Sequence, residues 1–69
     1  MGKIQISLAA ARVNAGLTQS DVAKALSVGK TTIVSWEKGK SEPKISQMDR
    51  LVELYNMPRD YIFLQTKSI

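Results

Sequence analysis

The residues of this chain best equipped for chemistry are cations. Lys30, Lys38, Lys40 and Lys44 fall in one segment, opposed there only by Glu37 and Glu42. Ten Lys and Arg against six Asp and Glu give a formal charge of +4, so the chain as a whole favours polyanionic partners and this segment favours them most. Taken singly, each lysine is better read as a solvated surface charge, and the clustering is what argues for a partner. Among and near these lysines stand Gln19, Thr31, Thr32, Ser35 and Ser41. Their hydroxyl and amide groups suit phosphate oxygens and base edges.

Other chemistries are poorly served. The chain has no His and no Cys, which removes imidazole and thiolate nucleophiles, disulfides and most metal ligands. A metal would have to rest on carboxylates alone. No two carboxylates form a recognisable catalytic pair and no Gly-rich phosphate loop is present, so neither an enzyme nor a cofactor is expected. Hydrophobic residues make up 43% of the chain, yet none of their runs approaches the roughly 18 residues of a membrane span. Met1 to Ile6 carries one charge with no long apolar stretch behind it, unlike a secretory signal. The expectation is a globular protein of the reducing cytoplasm.

The elements that must position the basic segment read as helices. A chain of 69 residues forms one domain, burying about 60% of the surface exposed when unfolded. Gly16, Gly29, Gly39, Pro43 and Pro58 divide it into pieces of helical length, and no repeat, linker or low-complexity tract is evident. Ser7 is a plausible N-cap for a first helix with Leu8, Ala11 and Ala15 on its apolar face, ended by Gly16. Thr18 and Asp21 form a capping box for a short second helix whose inner face is Val22, Ala23 and Leu26, and which ends near Ser27. A third helix follows Gly29, turns Ile33 and Trp36 inward and stops at Gly39. Ser46 and Asp49 repeat the capping pattern before Met48, Leu51, Val52 and Tyr55, which share one stripe. Pro58 suits the first turn of a fifth helix carrying Tyr61, Ile62, Phe63 and Leu64. Residues up to about 6 form an N-terminal arm, and residues from about 66 a frayed tail. The fold expected is all-α.

Two helices of about eight residues joined by a tight corner let the second enter a major groove while the first crosses the backbone. At 100° per residue, Lys30, Thr31, Val34, Ser35 and Lys38 share one face of the third helix, opposite Ile33 and Trp36. Val34 on that face is either an incidental surface apolar residue or a contact for a thymine methyl. Lys30 would reach guanine acceptors, and Thr31 or Ser35 would bond a base edge. Gln19 is either solvated or, beside the positive end of the second helix, placed to meet a phosphate. Trp36 could in principle stack on a base, but its stripe with Ile33 makes it a core residue.

Leu17-Thr18-Gln19, the step from Val22-Ala23 to Leu26, Thr32-Ile33 and Trp36-Glu37-Lys38-Gly39 resemble the Cro/CI (Xre-type) helix-turn-helix domains of bacteria and their phages. The resemblance runs from about Leu8 to Phe63. It implies a compact five-helix, lambda-repressor-like domain whose second and third helices form the helix-turn-helix, with double-stranded DNA as partner. Carried over residue by residue, it implies base readout by Lys30, Thr31, Val34 and Ser35. Gln19 would grip the backbone, with Thr32, Lys38, Lys40, Ser41 and Lys44 as further candidate phosphate contacts. It also implies a largely buried ion pair between Arg12 and Glu37. Two positions depart from the pattern: Ser27 stands where the turn often has glycine, at a cost of about 1 kcal/mol if left-handed, and Gly29 occupies the usual Ser or Thr N-cap.

One recognition helix covers a small footprint, and Met57, Tyr61, Ile62 and Phe63 add apolar surface. Both favour a homodimer, weak in solution and completed on a pseudo-palindromic operator. The rival expectation is an antirepressor or accessory protein, which would use the apolar residues near Tyr61 to Leu64 to bind another protein.

Overall fold

In this chain the helix ends are set by local signals, and the core then selects which faces turn inward. The structure, a computed structural model, describes residues 6–58 and 62–63. In order these form β1 (Ile6–Ser7), α1 (Leu8–Asn14), α2 (Gln19–Leu26), α3 (Lys30–Glu37), α4 (Ile45–Tyr55) and β2 (Ile62–Phe63). The architecture is essentially all-α, with four helices among the described residues. None of these is long and apolar enough to cross a membrane.

The caps explain the starts. Ser7 Oγ accepts the Ala10 amide at 3.0 Å and opens α1. At α2, Thr18 Oγ1 accepts the Asp21 amide at 3.0 Å while Asp21 Oδ2 accepts the Thr18 amide at 2.9 Å. The Thr18 amide, bonded to the charged carboxylate, is the main cause that holds Asp21 below its ordinary pKa, with the neighbouring Thr18 hydroxyl the second. Helix α4 starts earlier than the Ser46 signal suggests. Gln47 Oε1 accepts the Lys44 amide at 2.8 Å, so Lys44 is the N-cap and Ile45 the first helical residue.

The stops share one geometry. A left-handed residue follows each helix: Gly16 (φ 76°), Ser27 (φ 57°), Gly39 (φ 78°) and Asn56 (φ 51°). In each case the next amide returns to a carbonyl five residues back, as from Leu17 to Arg12, Val28 to Ala23, Lys40 to Ser35 and Met57 to Val52. This is the Schellman arrangement, which satisfies carbonyls that a helix end would otherwise leave open. It also carries Ala15 out of α1, so that residue is exposed rather than on the apolar face.

Leu8, Ala11, Val22, Ala23, Ile33, Trp36, Met48, Leu51, Tyr55 and Ile62 form the buried core, with Leu17, Leu26, Val28 and Val52 packed against it. Trp36 is thus a core residue. Ala23 is small where α2 and α3 meet, and Val28 turns inward at the corner.

The last segment corrects the helical reading. Ile62 and Phe63, expected in a fifth helix, are extended and pair in parallel with Ile6 and Ser7, in the register Ile6↔Ile62 and Ser7↔Phe63. A β-branched and an aromatic residue suit a strand, and pairing lets Ile62 enter the core at 6% exposure. Ile6 therefore belongs to the packed domain and not to a loose arm. Of the residues expected at a dimer interface, Ile62 fills the chain's own core and Met57 is half-buried against it. Tyr61 lies outside the described residues, as do the tail and most of the arm.

Candidate nucleic-acid interface

Helix α3 is anchored by Ile33 and Trp36, both buried, and that anchoring leaves its other face outward. Lys30 and Thr31 are exposed at its start, with Val34 and Ser35 half-buried one turn later and Lys38 exposed at its end. The four residues expected to read bases thus lie together on one accessible surface. Thr32 is half-buried at the flank of that face. Gly29 caps the helix through its backbone alone, with no side-chain bond to the first amides.

Beyond α3 the chain reverses at Gly39 and runs through Lys40, Ser41, Glu42 and Pro43 to the start of α4. Lys40, Ser41 and Lys44 are exposed along this return. The reversal carries Ser41 back beside α3, where its Oγ lies 2.9 Å from Ser35 Oγ. Sequence reasoning missed that contact, although Gly39, four residues beyond Ser35, marks the turn that makes it.

On the other side, Lys30 meets the start of α2. Together with Arg12, Leu17, Thr18, Gln19 and Ser20 it lines an open depression. A cationic side chain and the positive end of a helix converge there, an arrangement suited to an anion.

Behind that depression lies a part-buried charged network. Arg12 Nε donates to Glu37 Oε2 at 2.7 Å and Nη2 to Oε1 at 3.4 Å, with side-chain exposures of 15% and 8%. Arg12 Nη1 donates to the Leu17 carbonyl at 2.9 Å, and Gln19 Nε2 donates to Glu37 Oε1 at 3.0 Å. The hydrogen bond to Glu37 holds the Arg12 guanidinium charged even more firmly than usual, against the opposing effect of its own burial. The network joins α1, the turn after it, α2 and the end of α3. Its electrostatic effect is equally direct: Glu37 is compensated internally by Arg12, so its charge is not free to cancel Lys30 or Lys38. Gln19, expected at a phosphate, has its amide turned inward to this carboxylate, an engagement that the sequence does not reveal.

A family model described as Helix-turn-helix matches residues 8–62, from the first residue of α1 to the first of β2. The chain belongs to the Xre-type helix-turn-helix family. In this family member, α2 and α3 are the helix-turn-helix proper and the Ser27–Gly29 corner is its turn, which makes residues 8–62 a DNA-binding unit of the kind found in transcriptional regulators. The chain is similar to the cryptic phage CTXphi transcriptional repressor RstR of Vibrio cholerae, at 38% identity over 47 residues. That match covers 68% of this chain and 42% of the relative, so the chain corresponds to less than half of the relative's length. No solved structure matches.

Proposed function

We propose that this helix-turn-helix protein is a repressor-type regulator of transcription, of phage or bacterial origin, that seats α3 in the major groove of an operator. One observation carries the reading: the face of α3 opposite Ile33 and Trp36 presents Lys30, Thr31, Val34 and Ser35 together, followed beyond its far end by the exposed cations Lys38, Lys40 and Lys44. Lys30 is the donor for guanine acceptors and Val34 the apolar contact for a thymine methyl, with Thr31 and Ser35 as hydroxyl contacts to base edges. Lys38, Lys40, Ser41 and Lys44 meet phosphates beyond the far end of α3, with Thr32 at its flank. Gln19, through the start of α2, meets one at the near end. Similarity to a protein described as a transcriptional repressor supports the direction of regulation.

A homodimer on a pseudo-palindrome, with half-site centres about 34 Å apart, remains the most economical way for one short helix per chain to specify a site. The accessory-protein alternative rested on apolar surface near Tyr61 to Leu64, and the burial of Ile62 weakens that basis.

The test is selection from a random duplex library by the purified chain alone at physiological salt, followed by titration of the recovered sequence. Enrichment of a two-half-site sequence bound at least 1,000-fold more tightly than random DNA is the expected result, that ratio being the lower end for specific regulators. Enrichment of nothing, with a shift only when a second protein is added, would transfer the function to the accessory reading.

A further inference from the structure

We infer that Ser41 is a positioning residue for base recognition: it fixes the Ser35 hydroxyl as a hydrogen-bond acceptor, so that Ser35 selects a base amino group in the major groove. The inference rests on the proposed docking of α3 and goes beyond it by assigning hydrogen-bond polarity to one reader. The two hydroxyl oxygens lie 2.9 Å apart, and either can be the donor in the free protein. Each hydroxyl carries one proton and two lone pairs. Of the two protons, one is consumed between the pair and one is left for DNA.

DNA decides which. Ser41 is exposed, between Lys40 and Glu42 on the return from α3, whereas Ser35 is half-buried on the face of α3 that carries Lys30 and Val34. A phosphate oxygen accepts and never donates, so a hydroxyl meeting it must spend its proton there. Once Ser41 donates to phosphate, the Ser35 proton must complete the bond to Ser41. Ser35 then faces the base with lone pairs only. Adenine N6 and cytosine N4 carry hydrogens that such an oxygen accepts; guanine O6 and N7 and thymine O4 repel it. An isolated serine has no such preference, because its hydroxyl rotates to donate or accept as required. Backbone contact and base choice are thus coupled through one hydrogen bond, and the Schellman turn at Gly39 maintains it by returning the chain to α3.

The experiment uses the selected operator with probes that replace one base amino group by a carbonyl acceptor: hypoxanthine in place of adenine, or uracil in place of cytosine, each opposite a base that pairs with it, so that a Ser35 free to rotate donates to the new carbonyl and a locked one does not. Titrations compare the wild type with Ser41→Ala, Ser41→Thr, Ser35→Ala and the double alanine variant. The wild type is expected to lose about three- to tenfold in affinity at one amino group per half-site, the range for a single neutral hydrogen bond. Ser41→Ala should weaken every duplex and, in addition, reduce that amino-group dependence below twofold, because Ser35 regains its freedom. Ser41→Thr, which keeps the hydroxyl, should restore the dependence. Ser35→Ala should abolish it, and adding Ser41→Ala to that background should change nothing but overall affinity. If Ser41→Ala weakens all duplexes uniformly and keeps the amino-group dependence, Ser41 is only a phosphate contact and the inference is overturned. If the wild type shows no sequence-selective binding at all, the docking of α3 itself is overturned, and the coupling with it.

Discussion

Gln19 at the first position of α2 donates its side-chain amide to Glu37 Oε1 at 3.0 Å, at the last position of α3. The carboxylate already holds Arg12, so the start of one helix and the end of the next are tied through a single part-buried charge. Within the helix-turn-helix this bond fixes the start of α2 relative to the outward face of α3.

Stability should follow from that arrangement. Arg12→Met or Glu37→Met leaves an uncompensated charge in a part-buried site and should lower unfolding free energy by up to about 3 kcal/mol, the lower figure for a fully buried pair, while the double variant should recover much of the loss. Gln19→Ala leaves Glu37 paired with Arg12 and should cost nearer 1 kcal/mol. Urea unfolding of the four variants measures all of this. Single variants with wild-type midpoints would mean that the pair contributes nothing in solution.

The turn of the motif offers a gain. Ser27 sits at φ 57°, a left-handed conformation that costs a non-glycine residue about 1 kcal/mol. Ser27→Gly removes that strain, offset in part by the greater freedom of glycine in the unfolded chain. Melting should rise by up to about 4 to 8 °C, the shift that about 1 kcal/mol produces in a domain of this size. Gly16→Ala is the converse. Its φ is 76° and open space surrounds the added methyl, so the destabilisation it produces reports backbone strain and not a clash. Calorimetry on both should give opposite signs.

Such local devices are what the sequence makes legible. Ser7, the Thr18 and Asp21 box, Gly16 and Gly39 announce helix ends within a few residues, so α1 to α3 and the outward face of α3 follow from spacing alone. The stripe of Met48, Leu51 and Tyr55 likewise declares α4, although its start was hidden because glutamine at 47 does the capping and Ser46 does not. Nonlocal pairing is different. Ile62 is extended because its partner is Ile6, at the other end of the chain, and no window around Pro58 contains that information. The same holds inside the site. Gln19 reads equally well as solvated until Glu37 is brought to it, and Ser35 meets Ser41 only once Gly39 has reversed the chain.

Alkaline pH should unfold the protein through Tyr55. Burial in the core pushes its hydroxyl up to about 12 from 10.0, with the negative charge of Glu37 adding to the shift and Arg12 opposing it. Because the folded value is raised, the neutral phenol is the form the fold favours. This contribution is fully present below about pH 10 and is lost between about pH 10 and 12, amounting at most to about 2 to 3 kcal/mol. Tyr55→Phe keeps the ring and should flatten the dependence over that window. The check is the melting temperature of both proteins from pH 8 to 12. Parallel curves would show that Tyr55 ionises without cost.

Base edges and phosphates can be separated by their physics, which gives the decisive test of how the basic segment is used. Lys30 lies at the start of α3 on the same face as Val34, whereas Lys40 lies past Gly39 on the return. If Lys30 bonds guanine acceptors, Lys30→Ala should relax preference at one or two base pairs per half-site by about 1 to 3 kcal/mol. Its affinity for random DNA should change little, because a base-edge contact is made only on the matching sequence. Val34→Ala should behave the same way at a different position, where a thymine methyl loses its partner. Lys40→Ala should instead weaken operator and random DNA alike, since every sequence offers the same phosphate. Losing one phosphate contact should make the log–log salt slope shallower by about 0.9, and twice that in a dimer. A salt series on both duplexes for each variant separates the two mechanisms, which a single affinity at a single salt does not. If Lys30→Ala and Lys40→Ala lose equally on operator and random DNA, with equal changes in slope, α3 is held against the backbone and another element reads the bases.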